Sequence, residues 1–443
     1  MPVNNTLVNE LLALAKRYDG DDELKAVKSE FSIPENTVYL DGNSLGPLTK
    51  KAKQRALEVV EQQWGNSLIA SWNEYDWINL PQSVGNKIAP LIGASQNTVI
   101  CCDSISVNLF KLLSAGLLMQ KSNQGTTGAA PRSIILSQDD NFPTDLYVVQ
   151  GLQNLMNSGQ AGACELMSVN SQDIESTITE RGHEIAVLML THVNFRNGDI
   201  HDMKWLTSLA QSKGILVLWD LAHSAGVLPI QLEDCNVDFA VGCTYKYLNG
   251  GPGSPGFAYV AKRHLSSLQQ PLSGWMGHKQ PFAFEHDYQK AQGIEQLLCG
   301  TPSIISMSVL DAALDVFEDI DMQQVRAKSI ALNAFFESCV RGLLENKPDD
   351  TKANEPLTLA CNSEATLRGS QISYSHKHAY AICQALISHG VITDFRAPNI
   401  LRIGFSPLFL SFTNALNAAQ ILASIMLNRT YLAPEFSVKS KVT

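Results

Sequence analysis

The chain has 443 residues, of which 45% are hydrophobic and 17% charged, with a formal net charge of −10. At about 100–200 residues per domain this is two or three domains, or one large α/β unit with a smaller companion, and it is too apolar to stay disordered. The excess of 43 acidic over 33 basic residues supplies no general field toward nucleic acid or anionic lipid, so neither is expected as a partner.

The first segment, MPVNNTLVNELLALAKRYDGDDELK, lacks the basic region and apolar core of a secretory signal. No run approaches the roughly 18 apolar residues of a membrane span. Residues 1–50 read as an N-terminal helix and arm. The nine cysteines are scattered, with no C-x-x-C pair, so they read as free thiols in a reducing compartment, and a cytoplasmic location is expected. No spacing suggests a metal site.

Residues 51–302 read as a large domain. Short apolar runs alternate there with amphipathic stretches: SIILS (Ser133–Ser137), IAVLML (Ile185–Leu190), ILVLW (Ile215–Trp219), FAVGC (Phe239–Cys243) and GFAYV (Gly256–Val260). Such runs suit strands buried on both faces, which predicts an α/β fold with a mostly parallel central sheet. Between His201 and Asp220, Asp202 is placed to cap a helix running to Lys213, and Gly214 to end it. Two biased stretches, Ser122–Pro131 and Glu345–Pro356, read as surface loops. Residues 303–443 read as a smaller α+β domain: a long helix (Ser306–Leu344), a few strands, and helices near His378–His389 and Thr413–Leu427.

The most informative stretch is WDLAHSAGVLPIQLEDCNVDFAVGCTYKYLNGGPG (Trp219–Gly253). It sets Asp220 and His223 at the carboxyl end of one buried strand and Lys246 just past the next, where open α/β sheets bind ligands. A strand-end carboxylate and a neighbouring lysine suit pyridoxal phosphate: the lysine forms a Schiff base and the carboxylate keeps the pyridine nitrogen protonated. Taken alone, the three residues also fit a buried Asp220–Lys246 ion pair beside a core histidine. Asp103–Ser106 reads as the cap and first turn of the helix VNLFKLLSAGLLM, whose free amides favour an anion.

YLDGNSLGPL (Tyr39–Leu48), DSISVNLF (Asp103–Phe110), NFPTDLY (Asn141–Tyr147), DLAHSAG (Asp220–Gly226), CTYKYLNGGPG (Cys243–Gly253), GWMGH (Gly274–His278), LCGTP (Leu298–Pro302) and LRIGFSPLF (Leu401–Phe409) together resemble the kynureninase family, in the same order. The resemblance implies the fold type I architecture of aspartate aminotransferase, pyridoxal 5'-phosphate as cofactor, and a homodimer with composite active sites. It makes Lys246 the Schiff-base lysine, Asp220 the partner of the pyridine nitrogen, and His223 a neighbour of the phosphate. Tyr245 becomes a phosphate contact and proton-transfer group whose pKa is expected to be lowered. Phe142 would stack on the ring with Asp145 nearby, Ile105 and Ser106 would meet the phosphate, and Thr191 would be a small polar contact.

Trp275 and Thr301 match residues that reach the phosphate from the neighbouring subunit. Arg402 matches the arginine that binds the substrate carboxylate. Trp72 and Gly300 resemble the bacterial form of the family, which prefers L-kynurenine over its 3-hydroxy derivative. The implied reaction is hydrolytic cleavage between Cβ and Cγ of L-kynurenine, giving anthranilate and L-alanine. The alternatives are a cysteine desulfurase or selenocysteine lyase, which needs a nucleophilic cysteine on a mobile loop, and a non-catalytic pyridoxal-phosphate-binding protein.

Overall fold

Runs of Val, Ile, Leu and Ala form seven strands: β1 (Val99–Cys101), β2 (Ile134–Gln138), β3 (Glu165–Val169), β4 (Ile185–Thr191), β5 (Leu216–Asp220), β6 (Phe239–Cys243) and β7 (Gly256–Val260). In the computed structural model, which describes residues 5–127, 132–159, 162–345 and 355–439, they make one sheet in the order β1-β7-β6-β5-β4-β2-β3. All are parallel except β7, which runs antiparallel to β1 and β6. Every residue of β4 and of β6 is buried, as expected for strands covered on both faces. Pairing of Thr191 with Asp220 and of Asp220 with Val241 brings the carboxyl ends of β4, β5 and β6 side by side.

The principal helices are α1 (Asn5–Asp21), α2 (Ile105–Thr127), α3 (Pro143–Asn157), α4 (Met203–Ser212), α5 (Ile304–Leu314), α6 (Met322–Glu345), α7 (Ala379–Ser388) and α8 (Phe412–Asn428). α4 follows its sequence signals: Asp202 accepts the Trp205 amide at 2.9 Å, and Gly214 takes φ +74°. Two expectations are corrected. The segment from Ser122 does not begin a loop: α2 continues to Thr127, the good formers Met119, Gln120 and Lys121 carrying it into the weaker formers that follow; residues 128–131 lie outside the described residues. The long helix expected over Ser306–Leu344 is two helices. Asp321 ends the break by accepting the Gln323 amide on its carboxylate at 2.8 Å and the Gln324 and Val325 amides on its carbonyl, which starts α6 afresh. Of the second loop, Glu345 ends α6 and residues 346–354 lie outside the described residues.

A second, antiparallel sheet orders β8 (Thr358–Leu359), β9 (Gln371–Ser375), β10 (Asp394–Arg396) and β11 (Ile400–Gly404) as β10-β11-β9-β8. The N-terminal arm joins the two sheets. Its residues Val38–Tyr39 pair with Val391–Ile392, its Leu40 carbonyl accepts the Gly404 amide, and its Gly46 amide donates to the Tyr245 carbonyl at 2.7 Å. A Cβ at Gly46 would lie 2.1 Å from the Lys246 carbonyl oxygen, so only glycine allows this approach. Among the described residues no helix is long and apolar enough to cross a membrane.

Candidate active site

The carboxyl ends of the parallel strands enclose a cavity of about 180 Å³ lined by Ser104, Ile105, Ser106, Phe142, Asp145, Thr191, Asp220, His223, Tyr245 and Lys246, among others. Ten residues scattered over 143 positions of sequence meet there because each ends or follows a strand of one sheet. A larger cleft of about 680 Å³, running from Trp64 to Val309, carries no titratable side chain and offers no comparable chemistry.

Asp220 is buried at the end of β5 and accepts the Ala222 amide at 2.8 Å. Asp145, in the first turn of α3, is also buried. Burial, then the charge of Asp220, holds the Asp145 carboxyl well above the usual range, while Lys246 opposes the shift. Burial also raises Asp220, against Lys246, Ala222 and Asp145. Two adjacent carboxyls cannot both ionise cheaply in this setting, so the pair keeps one proton. The Ala222 amide and Lys246 favour charge on Asp220, which leaves the proton on Asp145.

Lys246 Nζ lies 2.9 Å from His223 Nε2. Burial, then the charges of Lys246, Arg402 and Arg396, pushes His223 well below the usual histidine value, so its ring is neutral. A lysine ammonium has only donors, so Nε2 accepts from it and the ring proton lies on Nδ1. Tyr245 departs from expectation: burial and the adjacent Cys243 raise its hydroxyl above the ordinary tyrosine value. The lowering expected from a neighbouring lysine does not occur, because Lys246 Nζ faces the ring, 5.9 Å from its centroid.

Three buried polar atoms around this cavity, Asp145 Oδ2, Thr191 Oγ1 and His223 Nδ1, have no hydrogen-bond partner. Native proteins rarely leave such atoms unsatisfied without a ligand or water. Beside them, α2 presents its first turn; its first amide-to-carbonyl bond runs from Asn108 to Ser104, so the amides of Ile105 and Ser106 precede it. An anion-binding cradle of free amides, a neutral imidazole N–H, a carboxylate and a lysine fit pyridoxal phosphate in charge and in donor pattern. Phe142 packs edge-to-face on Phe195, with ring centroids 5.2 Å apart.

Other site expectations fall outside the cavity. Arg402, 1% exposed, is not among its lining residues. Its Nε and Nη2 hold both oxygens of Asp394 at 3.0 and 2.6 Å, Nη2 also donates to Ser44 Oγ, and Nη1 donates to the Phe195 carbonyl. Four of five donors are therefore engaged, and the expected two-pronged clamp is not the resting arrangement. Trp72 packs edge-to-face on Trp77 at 5.9 Å. Gly300 and Thr301 are exposed and Trp275 half-buried, and none of them lines the cavity. Sequence reasoning missed Phe195, which lines the cavity and carries the Arg402 contact. Its only signal was its position just past Thr191, at the end of β4.

The family described as Kynureninase C-terminal domain matches residues 325–422, and that described as Aminotransferase class-V matches residues 162–362. The chain is 44% identical over 435 residues to a kynureninase of Burkholderia mallei, covering 98% of this chain and 99% of that protein. A Pseudomonas fluorescens kynureninase is 42% identical, covering 99% and 100%. The chain belongs to the kynureninase family. Its fold is also that of a cysteine desulfurase from Thermococcus onnurineus NA1, with a TM-score of 0.73, 16% identity and coverage of 91% of this chain and 98% of that one. A cysteine desulfurase from Escherichia coli superposes with a TM-score of 0.68 at 18% identity, covering 91% and 99%. These two likenesses show the fold alone.

Proposed function

We propose that this chain is a pyridoxal-phosphate-dependent kynureninase, a hydrolase that splits L-kynurenine between Cβ and Cγ into anthranilate and L-alanine. The observation that carries this reading is the 42–44% identity over nearly the full length to relatives named kynureninase. The composition of the cavity agrees with it. Asp220 would accept the pyridine N–H, His223 Nδ1 and the first turn of α2 would face the phosphate, and Lys246 would be the point of attachment. The bound cofactor supplies an electron sink conjugated to the substrate Cα.

The side chains divide the remaining work. Lys246 Nζ would take the Cα proton, and His223, neutral beside it, would not compete as an acid. Asp220 keeps its charge against the ring because Asp145 carries the shared proton. Tyr245, held protonated by burial and lining the cavity, would return a proton to Cβ. Arg402 would reach the substrate carboxylate by exchanging Ser44 or Phe195 for it. Trp275 and Thr301 of the partner subunit would complete the phosphate site in a homodimer, with Trp72 and Gly300 bordering the aryl group. The nine free thiols suit a cytoplasmic enzyme.

The desulfurase reading lacks its nucleophile: Cys243 is the cysteine lining the cavity, and burial raises its thiol above the ordinary value. Incubation with pyridoxal phosphate and L-kynurenine should release fluorescent anthranilate, and L-cysteine should yield no sulfide. The opposite pair of results would replace this function with the rival one.

A further inference from the structure

Lys111 interrupts the apolar stretch VNLFKLLSAGLLM of α2, and its side chain is 0% exposed. Its Nζ donates to Asp103 Oδ2 at 2.6 Å and to the Leu297 carbonyl at 2.5 Å. An ammonium so buried is retained only where its partners hold it closely. Those partners belong to two different segments: Asp103 adjoins the cavity lining at Ser104, and Leu297 lies outside that lining. Asp103 immediately precedes Ser104, Ile105 and Ser106, and it sits at φ +47°, a strained conformation for a residue with a side chain. Its carbonyl also accepts the Gly256 amide at 2.7 Å. Leu297 begins the segment leading to Gly300 and Thr301. That segment backs Trp275, since the Met276 amide donates to the Cys299 carbonyl at 3.1 Å and a Cβ at Gly277 would lie 2.2 Å from the Leu298 carbonyl oxygen.

We propose that Lys111 is a positioning residue for the phosphate end of the cavity: its ion pair with Asp103 fixes the strained turn that aims the first amides of α2, and its bond to Leu297 ties that turn to the loop bearing Gly300 and Thr301. Lys111 touches no ligand itself. The inference rests on the reading of the cavity as a pyridoxal phosphate site.

The test uses full-length apoprotein titrated with pyridoxal phosphate and, separately, with pyridoxal, which lacks the phosphate. Wild type, Lys111→Met, Asp103→Asn and the double variant are compared by the absorbance of the bound ligand, with thermal unfolding alongside. Lys111→Met should weaken pyridoxal phosphate at least about tenfold, the size of one lost charge-assisted contact, and leave pyridoxal within about twofold. The double variant should be no worse than the stronger single one. Unchanged affinity for pyridoxal phosphate, or equal losses for both ligands, would overturn the proposal. If Lys111→Met does not fold, Asp103→Asn answers alone, because the Asp103 side chain is 31% exposed and asparagine tolerates positive φ. Wild type binding neither ligand would instead remove the reading of the cavity, and this inference with it.

Discussion

At the scale of single residues, Arg402 decides most. A guanidinium engaged through four donors with Asp394, Ser44 and the Phe195 carbonyl lies outside the cavity lining and is joined to it through Phe195. Arg402→Lys keeps the charge but loses the fork, and at about 1.5–3 kcal/mol per charged hydrogen bond kcat/KM for L-kynurenine should fall at least tenfold. The loss should appear in KM, with the absorbance of bound cofactor unchanged. A near-normal KM would leave Arg402 as the structural partner of Asp394. That the lysine, the strand-end aspartate and the histidine meet in one cavity was legible, because their placement depends on position along strands. The engagement of Arg402 was not, since Ser44 and Arg402 are 358 residues apart. Lys111 carried no local signal of a role, since its partner Leu297 is 186 residues away.

At the scale of elements, local signals served well where the chain closes its own caps. Asp202 and Gly214 bound α4 as read, and the strand runs landed within a residue or two of β2, β4, β5, β6 and β7. They failed where periodicity continues across a break, as at Asp321, because the apolar stripe of α5 lines up with that of α6. One cap lies out of reach of any local reading. Asp19 of α1 accepts the Phe412 and Thr413 amides at 2.6 and 3.1 Å and the Thr413 hydroxyl at 2.6 Å, reinforcing the Ser411–Asn414 capping box of α8. Asp19→Ala should cost about 0.5–2 kcal/mol in denaturant unfolding and leave affinity for pyridoxal phosphate unchanged. A loss below about 0.3 kcal/mol would mean that the Ser411 box suffices.

At the scale of the molecule, the arm from Tyr39 to Leu48 binds together both sheets, the lysine loop and the arginine, and it carries a titrating group. Burial, then the nearby Asp394, raises Asp41 to about 6, against Ser44, Arg402 and Arg396. The folded state therefore holds this proton more tightly than the unfolded chain, whose carboxyl titrates near 4. Its contribution to stability is complete below about pH 4 and is lost as pH rises through about 6. Asp41→Asn keeps a neutral side chain throughout, so its stability relative to wild type should increase between about pH 4.5 and 7 in denaturant titrations. A difference that stays flat with pH would show Asp41 ionised across the range.

The same arm has a consequence during synthesis. Its Ser44 leaves the ribosome 358 residues ahead of the Arg402 it must meet, a lag on the order of 20–70 s at about 5–20 residues per second. The first segment made is thus among the last to be placed. Until β11 emerges, Leu40, which ends 1% exposed, lacks the Gly404 amide that its carbonyl accepts, and Ser44 lacks its arginine. The arm therefore stays unplaced for most of translation, and that interval is when a holding chaperone has apolar surface to grip.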